Sequence, residues 1–304
     1  MDKTRNKKGV YQMKLVLSGY DKQESLAIVE INEKMEHAFL HKKSLSSSTF
    51  VIEGNRYLYT YEKKDGITLY SYLVVGDELV EVAKKEIDGT DLTHLTYSAK
   101  HKMLFGCSYH EGTVFSIKMM QGTFGSEYHY QKLIADDRLS RAHCVVLNES
   151  QTELAVVDIA LDEIFLFDIQ NDKIEYKDSI FLEKGKGPRH AIYDQDNYIY
   201  VMTEYSNEVL VIERSTKKVI QNISTLQDNQ NESFGATLFF SKDKSKLYAS
   251  NRGEDSIAIF EVLTDHSLLY IESMSCGGQH PRHMILSSEG QYIVSCNKEG
   301  NNVA

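Results

Sequence analysis

The sequence repeats itself every 46 to 49 residues, and this repeat limits the possible folds more than any other feature. Each unit opens with a three-residue anchor, and the anchors end at His94, His143, His190, Thr237 and His283. The steps between these positions are 49, 47, 47 and 46 residues. A period of about 40 to 50 residues is typical of the blades of a β-propeller.

Two strand-like segments follow each anchor. The second-strand segments are LYTYEK from Leu58, LFGCSY from Leu104, LAVVDI from Leu154, IYVMTEY from Ile199, LYASNRG from Leu247 and IVSCNKE from Ile293. The third-strand segments are ITLYSY from Ile67, TVFSIKM from Thr113, EIFLFDI from Glu163, EVLVIE from Glu208 and SIAIFEV from Ser256. Their alternating apolar residues favour half-buried antiparallel strands, and no segment carries a sustained helical stripe. The pattern therefore predicts an all-β fold of radially arranged four-stranded sheets.

Counting the units gives seven, and both ends are incomplete. No anchor strand precedes the segment 14–20, and the sequence stops at Ala304, where a third strand should begin. We predict a seven-bladed β-propeller as a single domain over residues 13–304, with its last blade truncated at the C-terminus. Residues 1–12 are expected to be a disordered leader or an expression remnant. An open sheet edge predicts marginal stability or edge-to-edge association.

Composition and charge exclude several functional classes. The 41% hydrophobic and 26% charged residues are typical of a soluble globular protein, and no window approaches the ~18 consecutive apolar residues of a membrane span. The N-terminus does not resemble a secretory signal, which predicts a cytoplasmic protein. A net charge of −10 argues against nucleic-acid binding. It would also repel an anionic ligand at long range, so an anion site needs locally clustered Arg, His and Lys.

The sequence gives no sign of a metal or a cofactor. The four cysteines, Cys107, Cys144, Cys276 and Cys296, lie far apart without a CxxC pair, which predicts reduced, mostly buried thiols. There is no HExxH motif, carboxylate-rich calcium loop, phosphate-binding loop or dinucleotide-binding glycine pattern. The chain has no Trp, so the Trp-Asp repeat of many interaction scaffolds is missing.

Several motifs in register with the repeat give a more specific indication. They are GPRH at residues 187–190, TEY at 203–205, NRG at 251–253 and a second PRH at 281–283. Together with RAHCVVLNES from Arg141, these segments resemble the bacterial 6-phosphogluconolactonase family of seven-bladed propellers, which is related to fungal carboxymuconate cyclases. The resemblance covers nearly the whole chain from Lys14. It implies a metal-independent hydrolase that opens 6-phospho-D-glucono-1,5-lactone in the pentose phosphate pathway of glucose metabolism.

The anchors and the polar ends of the second strands are expected to face one end of a central channel. Successive repeats would bring there His94, His143, Arg189 with His190, Glu204, Asn251 with Arg252, and Arg282 with His283. Such a basic cluster in an acidic protein predicts a small anionic substrate. Strand alternation turns His190 and His283 to the opposite side, where packing or hydrogen bonding between blades is expected.

Opening a lactone requires activation of water, stabilisation of the oxyanion and protonation of the leaving alkoxide. His143 or Glu204 could act as the base, and Arg189 and Arg252 could bind the oxyanion or a phosphate through their forked donors. The resemblance places the His, Arg, Glu and Arg of the related cyclases at these four positions, which we predict to be catalytic. The predicted substrate-binding residues are His94, Asn251 and Arg282.

Structural roles compete with each of these assignments. His94 and His143 could cap strand ends, Arg282 could join two blades, and Glu204 could form a buried ion pair with Arg189. At the level of function, the alternatives are a lactonase or cyclase for another small anionic lactone and a non-catalytic propeller that binds a ligand or protein on the same face. The sequence leaves the oligomeric state open.

Overall fold

The structure, a computed structural model, describes residues 3–5, 11–134, 138–227 and 232–304. These residues form β-strands joined by turns. No helix with the length and apolar character of a membrane span occurs among them. The chain divides into two compact units, one made of Met1–Leu133 and Asn171–Lys173, the other of Ile134–Gln170 and Ile174–Ala304.

The first unit contains three four-stranded sheets. The strands of the first sheet are β1 (Lys3–Arg5), β2 (Tyr11–Ser18), β3 (Leu26–Asn32) and β4 (His37–Lys43). Those of the second are β5 (Val51–Gly54), β6 (Tyr57–Lys63), β7 (Ile67–Val75) and β8 (Glu78–Ile87). Those of the third are β9 (His94–Ser98), β10 (Met103–Ser108), β11 (Thr113–Met120) and β12 (Thr123–Lys132).

The second unit contains three four-stranded sheets and one three-stranded sheet. The strands of the fourth sheet are β13 (Ala142–Leu147), β14 (Glu153–Asp158), β15 (Glu163–Gln170) and β16 (Lys173–Phe181), and those of the fifth are β17 (Pro188–Asp194), β18 (Tyr198–Thr203), β19 (Glu208–Glu213) and β20 (Lys218–Ser224). Those of the sixth are β21 (Phe234–Phe240), β22 (Lys246–Arg252), β23 (Ser256–Val262) and β24 (Leu268–Ser275). The three-stranded seventh sheet consists of β25 (Pro281–Leu286), β26 (Ile293–Asn297) and β27 (Asn302–Val303).

Within each sheet the strands lie in chain order, and every recorded pair is antiparallel. The predicted second strands correspond to β6, β10, β14, β18, β22 and β26, and the third-strand segments correspond to β7, β11, β15, β19 and β23. The seven sheets therefore agree with the seven repeats counted in the sequence. The last sheet has three strands, and β27 holds only two residues.

The apolar core of the second unit lies between neighbouring sheets. Successive side chains of a strand point to opposite faces. In β18, Val201 packs with residues of the preceding sheet such as Leu166, whereas Tyr200 and Met202 pack with residues of the following sheet such as Phe260. Both faces of β18 are thus covered. This explains why the central strands are apolar or small at nearly every position.

Two further predictions concern the cysteines and the leader. All four cysteines are free thiols, three of them buried, as predicted, and burial raises the pKa of Cys144 to about 12. Of the predicted leader, residues 1–2 and 6–10 lie outside the described residues. Lys3–Arg5 pairs with Tyr11–Met13 as an edge strand, and the assignment of residues 1–12 as a leader stays a prediction.

The two-sided burial leads to a stability prediction. Replacing the fully buried Leu166 by Ala should reduce the free energy of unfolding by about 2–5 kcal/mol, because contacts are lost and a cavity is left. Leu269→Ala is the matched control: this residue is 54% exposed on an outer strand, so its substitution should change stability by less than about 0.5 kcal/mol. Urea unfolding followed by circular dichroism measures both, and equal losses would contradict the assignment of the core.

Candidate active site

The first strands of the sheets in the second unit are irregular at their beginning. The pairing register skips His143 in β13, Arg189 in β17 and Arg282 in β25, each time just after the first paired residue. Such β-bulges place an extra residue in one strand and re-aim its side chain, and they are frequent next to active sites. His143, Arg189 and Arg282 therefore occupy equivalent positions. Their strands are neighbours: β13 packs beside β17, β17 beside β21, and β21 beside β25.

These bulges correct the alignment of the repeats. The sequence period equated His143 with His190, but the residue that pairs with the end of the second strand is Ala142 in β13, Pro188 in β17 and Pro281 in β25. His143 is therefore equivalent to Arg189, one residue earlier in the repeat than His190. The length of a repeat does not show which residue of an anchor is left out of the strand pairing, so the sequence period does not reveal the bulge. Alternation also fails across a bulge, which removes the reason for turning His190 and His283 away from their arginines.

Glu204 contacts both of the arginines that were predicted to be catalytic, Arg189 and Arg252. Its Oε2 lies 2.9 Å from Nε of Arg189 and 2.7 Å from Nη2 of Arg252. The side chains of Arg189 and Arg252 are only 5% and 7% exposed, and that of Glu204 is 19% exposed. Glu204 directly follows β18, and Arg252 ends β22. The ion pair considered as a structural alternative is thus present, and it joins two arginines rather than one.

Backbone carbonyls complete the surroundings of both guanidinium groups. Nη2 of Arg252 donates a hydrogen bond to the carbonyl oxygen of Gly235 (2.8 Å), and Nη1 of Arg189 donates one to that of Ala236. Gly235 also donates its N–H to the carbonyl of Glu204 at 3.0 Å. A Cβ on Gly235 would lie 2.1 Å from the carbonyl oxygen of Thr203, so only glycine permits this approach.

The anchor GAT, residues 235–237, has no charged side chain and was therefore not predicted to contribute to the site. It contributes through its carbonyls instead. The signal available in the sequence was the glycine at the position where two other anchors have proline.

The positive charge of Arg282 affects the pKa values of two histidines in this region, His280 and His283. Burial, together with the positive charges of Arg189 and Arg282, lowers the pKa of His283 to about 4. Burial lowers the pKa of His280 as well; the positive charges of Arg252, Lys298 and Arg282 act in the same direction, and Glu299 opposes them. Both imidazoles are therefore neutral at pH 7. His280, which was not among the predicted residues, lies near the same arginines as the predicted site.

His190 shows the inter-blade hydrogen bonding expected of it. Its Nδ1 lies 3.2 Å from Oγ1 of Thr237 and accepts a longer hydrogen bond, 3.4 Å, from the N–H of Leu238 in the next sheet. Its ring also meets that of His283 edge-on, with 6.3 Å between the ring centroids. The expectation of bonding between blades is thus met for His190. For His283 the observed interaction is a different one: the positive charges of Arg189 and Arg282 act on its imidazole.

Asn251, which the sequence predicts to bind the substrate, is surrounded by hydrogen-bond partners from its own chain. Asn251 is fully buried, and its amide group donates to the carbonyl of Thr225 (2.9 Å) and to Oγ of Ser256 (3.0 Å). Its Oδ1 accepts from Oγ1 of Thr225 at 2.6 Å. These hydrogen bonds fasten the end of β22, and the substrate-binding role of Asn251 stays a prediction.

The relation of His143 and His94 to the site around Glu204 is less direct. His143 is buried and joins the site through its bulge position on β13. His94 belongs to the first unit, where it begins β9 and its ring centroid lies 4.4 Å from that of Phe50. It pairs with Cys107, so in the repeat it corresponds to Cys144 rather than to His143. The substrate-binding role of His94 stays a prediction.

The charges of this site suit an anion. Two guanidinium groups contact one carboxylate, and the charge of a third, Arg282, acts on the neighbouring imidazoles of His280 and His283. Guanidinium groups are well suited to carboxylate, phosphate and oxyanion ligands because their donors form a rigid planar fork. A metal cation would have to compete with both arginines for Glu204.

Comparison with known families agrees with this chemistry. The family described as "Lactonase, 7-bladed beta-propeller" matches residues 14–304. The chain belongs to this lactonase family. The predicted fold class, a seven-bladed β-propeller, is thereby confirmed, as is the predicted resemblance.

Individual relatives are more distant. The protein named 6-phosphogluconolactonase of Bacillus subtilis strain 168 is 27% identical over 277 residues, which cover 85% of this chain and 79% of the relative. An uncharacterized protein of Staphylococcus epidermidis is 28% identical over 310 residues, covering 96% of this chain and 86% of its own.

Solved structures support the fold. A Lactobacillus plantarum protein superposes with a TM-score of 0.87 at 19% identity, covering 96% of this chain and 91% of its own. The periplasmic gluconolactonase PpgL of Pseudomonas aeruginosa has a TM-score of 0.86 at 18% identity, with the same coverage of 96% and 91%.

The shared carboxylate predicts a large stability effect. Glu204→Gln should lower the free energy of unfolding by about 3 kcal/mol, because it leaves two nearly buried guanidinium groups without their counter-charge. Asp178→Asn is the control: Asp178 pairs with Lys217 where both side chains are well exposed, and its loss should change stability by no more than about 1 kcal/mol. Denaturant titration of the two variants provides the comparison, and similar small losses would show that the Glu204 contacts contribute little.

His283 predicts a pH dependence of stability. Its pKa in the folded protein, about 4, lies below the ordinary 6.5, so the unfolded chain takes up the proton first as the pH falls. This residue should therefore lower the free energy of unfolding progressively between about pH 6.5 and pH 4, by on the order of 3 kcal/mol in total.

The test is to compare wild type with His283→Gln, which lacks this titration. As the pH falls through that window, the free energy of unfolding of the wild type should decrease relative to that of His283→Gln. Below about pH 4 the difference between the two proteins should become constant. Parallel stability curves would contradict the assignment.

Proposed function

We propose that this protein is a 6-phosphogluconolactonase, which hydrolyses 6-phospho-D-glucono-1,5-lactone to 6-phosphogluconate without a metal ion. The observation that carries the proposal is the pair of nearly buried arginines, Arg189 and Arg252, on the carboxylate of Glu204 in a chain of the lactonase family. The name of the Bacillus subtilis relative supports the choice of substrate. A phosphorylated substrate of this kind also favours a cytoplasmic location.

Charge is the first argument for a phosphorylated lactone. The protein carries a formal net charge of −10, which would repel the substrate phosphate at a distance. Arg189 and Arg252 both contact Glu204, so this group of three side chains carries a net positive charge. We assign Arg282 to the phosphate because its bulge position is equivalent to that of Arg189 and its charge acts on the same imidazole, His283.

Arg189 and Arg252 are assigned to the reacting ester. When a water oxygen bonds to the lactone carbonyl carbon, the π electrons of the carbonyl move to its oxygen, and this oxyanion needs nearby donors. Glu204 and the carbonyls of residues 235 and 236 hold both guanidinium groups in place before the substrate arrives. Preorganised donors of this type lower the barrier because they do not have to reorient during the reaction.

The second step breaks the bond between the carbonyl carbon and the ring oxygen. The ring oxygen takes up a proton as it leaves, and the new carboxylic acid loses one to solvent. Glu204 is poorly suited to take a proton from water, since its Oε2 contacts two guanidinium groups. We therefore assign Glu204 to positioning the arginines, and proton transfer to an imidazole; His143 is the imidazole that the sequence predicted.

Hydrolysis of the phosphorylated lactone tests the proposal. The wild type should accelerate ring opening above the spontaneous rate, with and without EDTA, and should prefer the phosphorylated lactone over glucono-1,5-lactone. Arg252→Ala should reduce kcat/KM by about 100-fold or more, the loss typical for an oxyanion donor. Lys246→Ala, an exposed change at the start of β22, is the control and should leave the rate unchanged.

The outcomes separate the alternatives. A pH-stat assay of both lactones, corrected for the uncatalysed reaction, gives the rates. No acceleration of either lactone would favour a non-catalytic binding module. Equal use of both would point to a lactonase without phosphate recognition, and a strong loss with EDTA would overturn metal independence.

A further inference from the structure

His280 is held in an unusual backbone conformation at the edge of the site. Its φ is 62°, in the left-handed region that side chains other than glycine seldom adopt. Its N–H donates to Oδ1 of Asp255 at 2.7 Å, and its carbonyl accepts from the N–H of Lys298 at 3.0 Å. Such conformations persist where surrounding bonds enforce them, and they are concentrated at functional sites.

These bonds connect His280 with the turn that follows Arg252. Oδ1 of Asp255 also accepts from the N–H of Gly253 at 3.2 Å, and the carbonyl of Asp255 accepts from the N–H of Cys276 at 3.0 Å. The end of β22 and the segment before β25 are therefore fixed to each other. This arrangement keeps His280 in the neighbourhood of Arg252, whose charge acts on the imidazole.

The imidazole has a defined orientation. Its Nδ1 lies 3.2 Å from Oε1 of Glu299, and a carboxylate at this distance favours the tautomer that carries the hydrogen on Nδ1. Nε2 then has the lone pair and can accept a proton. A carboxylate that orients a histidine in this way also stabilises the imidazolium that forms when the histidine acts as a base.

The surroundings also keep the imidazole neutral. Burial lowers the pKa of His280 below 6.5, the positive charges of Arg252, Lys298 and Arg282 act in the same direction, and Glu299 acts against them. Asp255 faces the backbone N–H of His280. A neutral histidine near pH 7 is ready to act as a general base.

We propose that His280 is a further catalytic residue, the general base that takes a proton from the attacking water. This inference rests on the proposed lactone hydrolysis. As the water oxygen bonds to the carbonyl carbon, one water proton moves to Nε2 of His280, and the carbonyl π electrons move to the oxyanion held by Arg252. When the bond to the ring oxygen breaks, that oxygen takes the proton from His280, which returns to the neutral form.

His280 suits this role better than the two candidates predicted from the sequence. Glu204 is engaged by two arginines, as described above. His143 is buried, whereas His280 is partly exposed and is reached more easily by water.

Substitution of His280 is the first test. Asn is the variant of choice because it tolerates the left-handed conformation and should preserve the fold. His280→Asn should lower kcat for the phosphorylated lactone by about 100-fold, the lower end for loss of a general base, while KM changes little. Added imidazole should restore part of the rate.

The pH profile separates catalysis from a structural role. In the wild type, kcat/KM should fall on the acid side as His280 becomes protonated, and this limb should be absent in His280→Asn. Glu299→Gln removes a charge that raises the pKa of His280, so it should move the acid limb to lower pH. Lys298→Gln removes a charge that lowers it and should move the limb to higher pH.

Opposite shifts of the acid limb in Glu299→Gln and Lys298→Gln, two variants at neighbouring, exposed positions, would support the proposal. If the wild type hydrolyses the lactone but His280→Asn keeps its rate and its acid limb, His280 is not the base, and the proposed function is unaffected. Unchanged limbs in both Glu299→Gln and Lys298→Gln would overturn the inference in the same way. A wild type that accelerates neither lactone overturns the proposed function and the inference together.

Discussion

One carboxylate oxygen, Oε2 of Glu204, contacts both Arg189 and Arg252, and the rest of the site depends on this contact. Two guanidinium groups brought together away from water repel each other and lose their hydration. The carboxylate offsets the repulsion, and the carbonyls of residues 235 and 236 replace part of the lost hydration. The result is a pair of cationic groups that are nearly buried yet fixed in position, as an oxyanion site requires.

The contact is possible only because the sheets of the second unit approach closely at the ends of their inner strands. Gly235 lies so near the end of β18 that a Cβ would overlap the carbonyl oxygen of Thr203. The bulges at the beginning of β17 and β25 place Arg189 and Arg282 out of the regular pairing. Behind these strand ends, apolar residues on both faces of each sheet supply the packing that holds the backbone in place. The apolar core thus holds in place the strands that carry the polar site.

The excess of positive charge has a second consequence. Burial lowers the pKa values of His280 and His283, and the neighbouring positive charges add to this effect, so both imidazoles are neutral. A site that attracts an anion through its arginines thereby also acquires unprotonated bases beside them. The same charges can therefore serve binding, oxyanion stabilisation and proton transfer in the proposed reaction.

The sequence by itself determined the strands, their grouping into seven sheets and three members of the site. Apolar alternation and a regular period are local properties, and β6, β10, β14, β18, β22 and β26 correspond to the predicted segments. Arg189 could be predicted because it lies in an anchor, and Glu204 and Arg252 because they lie at the polar ends of second-strand segments; the family resemblance pointed to the same residues. The tertiary structure decided what depends on pairing between strands: the one-residue shift at the bulges, the burial of Asn251, the carbonyls supplied by an uncharged anchor and the placement of His280. The periodic pattern of side chains does not encode the register of one strand against its neighbour or the direction of a backbone carbonyl, because both are set only when the sheets pack.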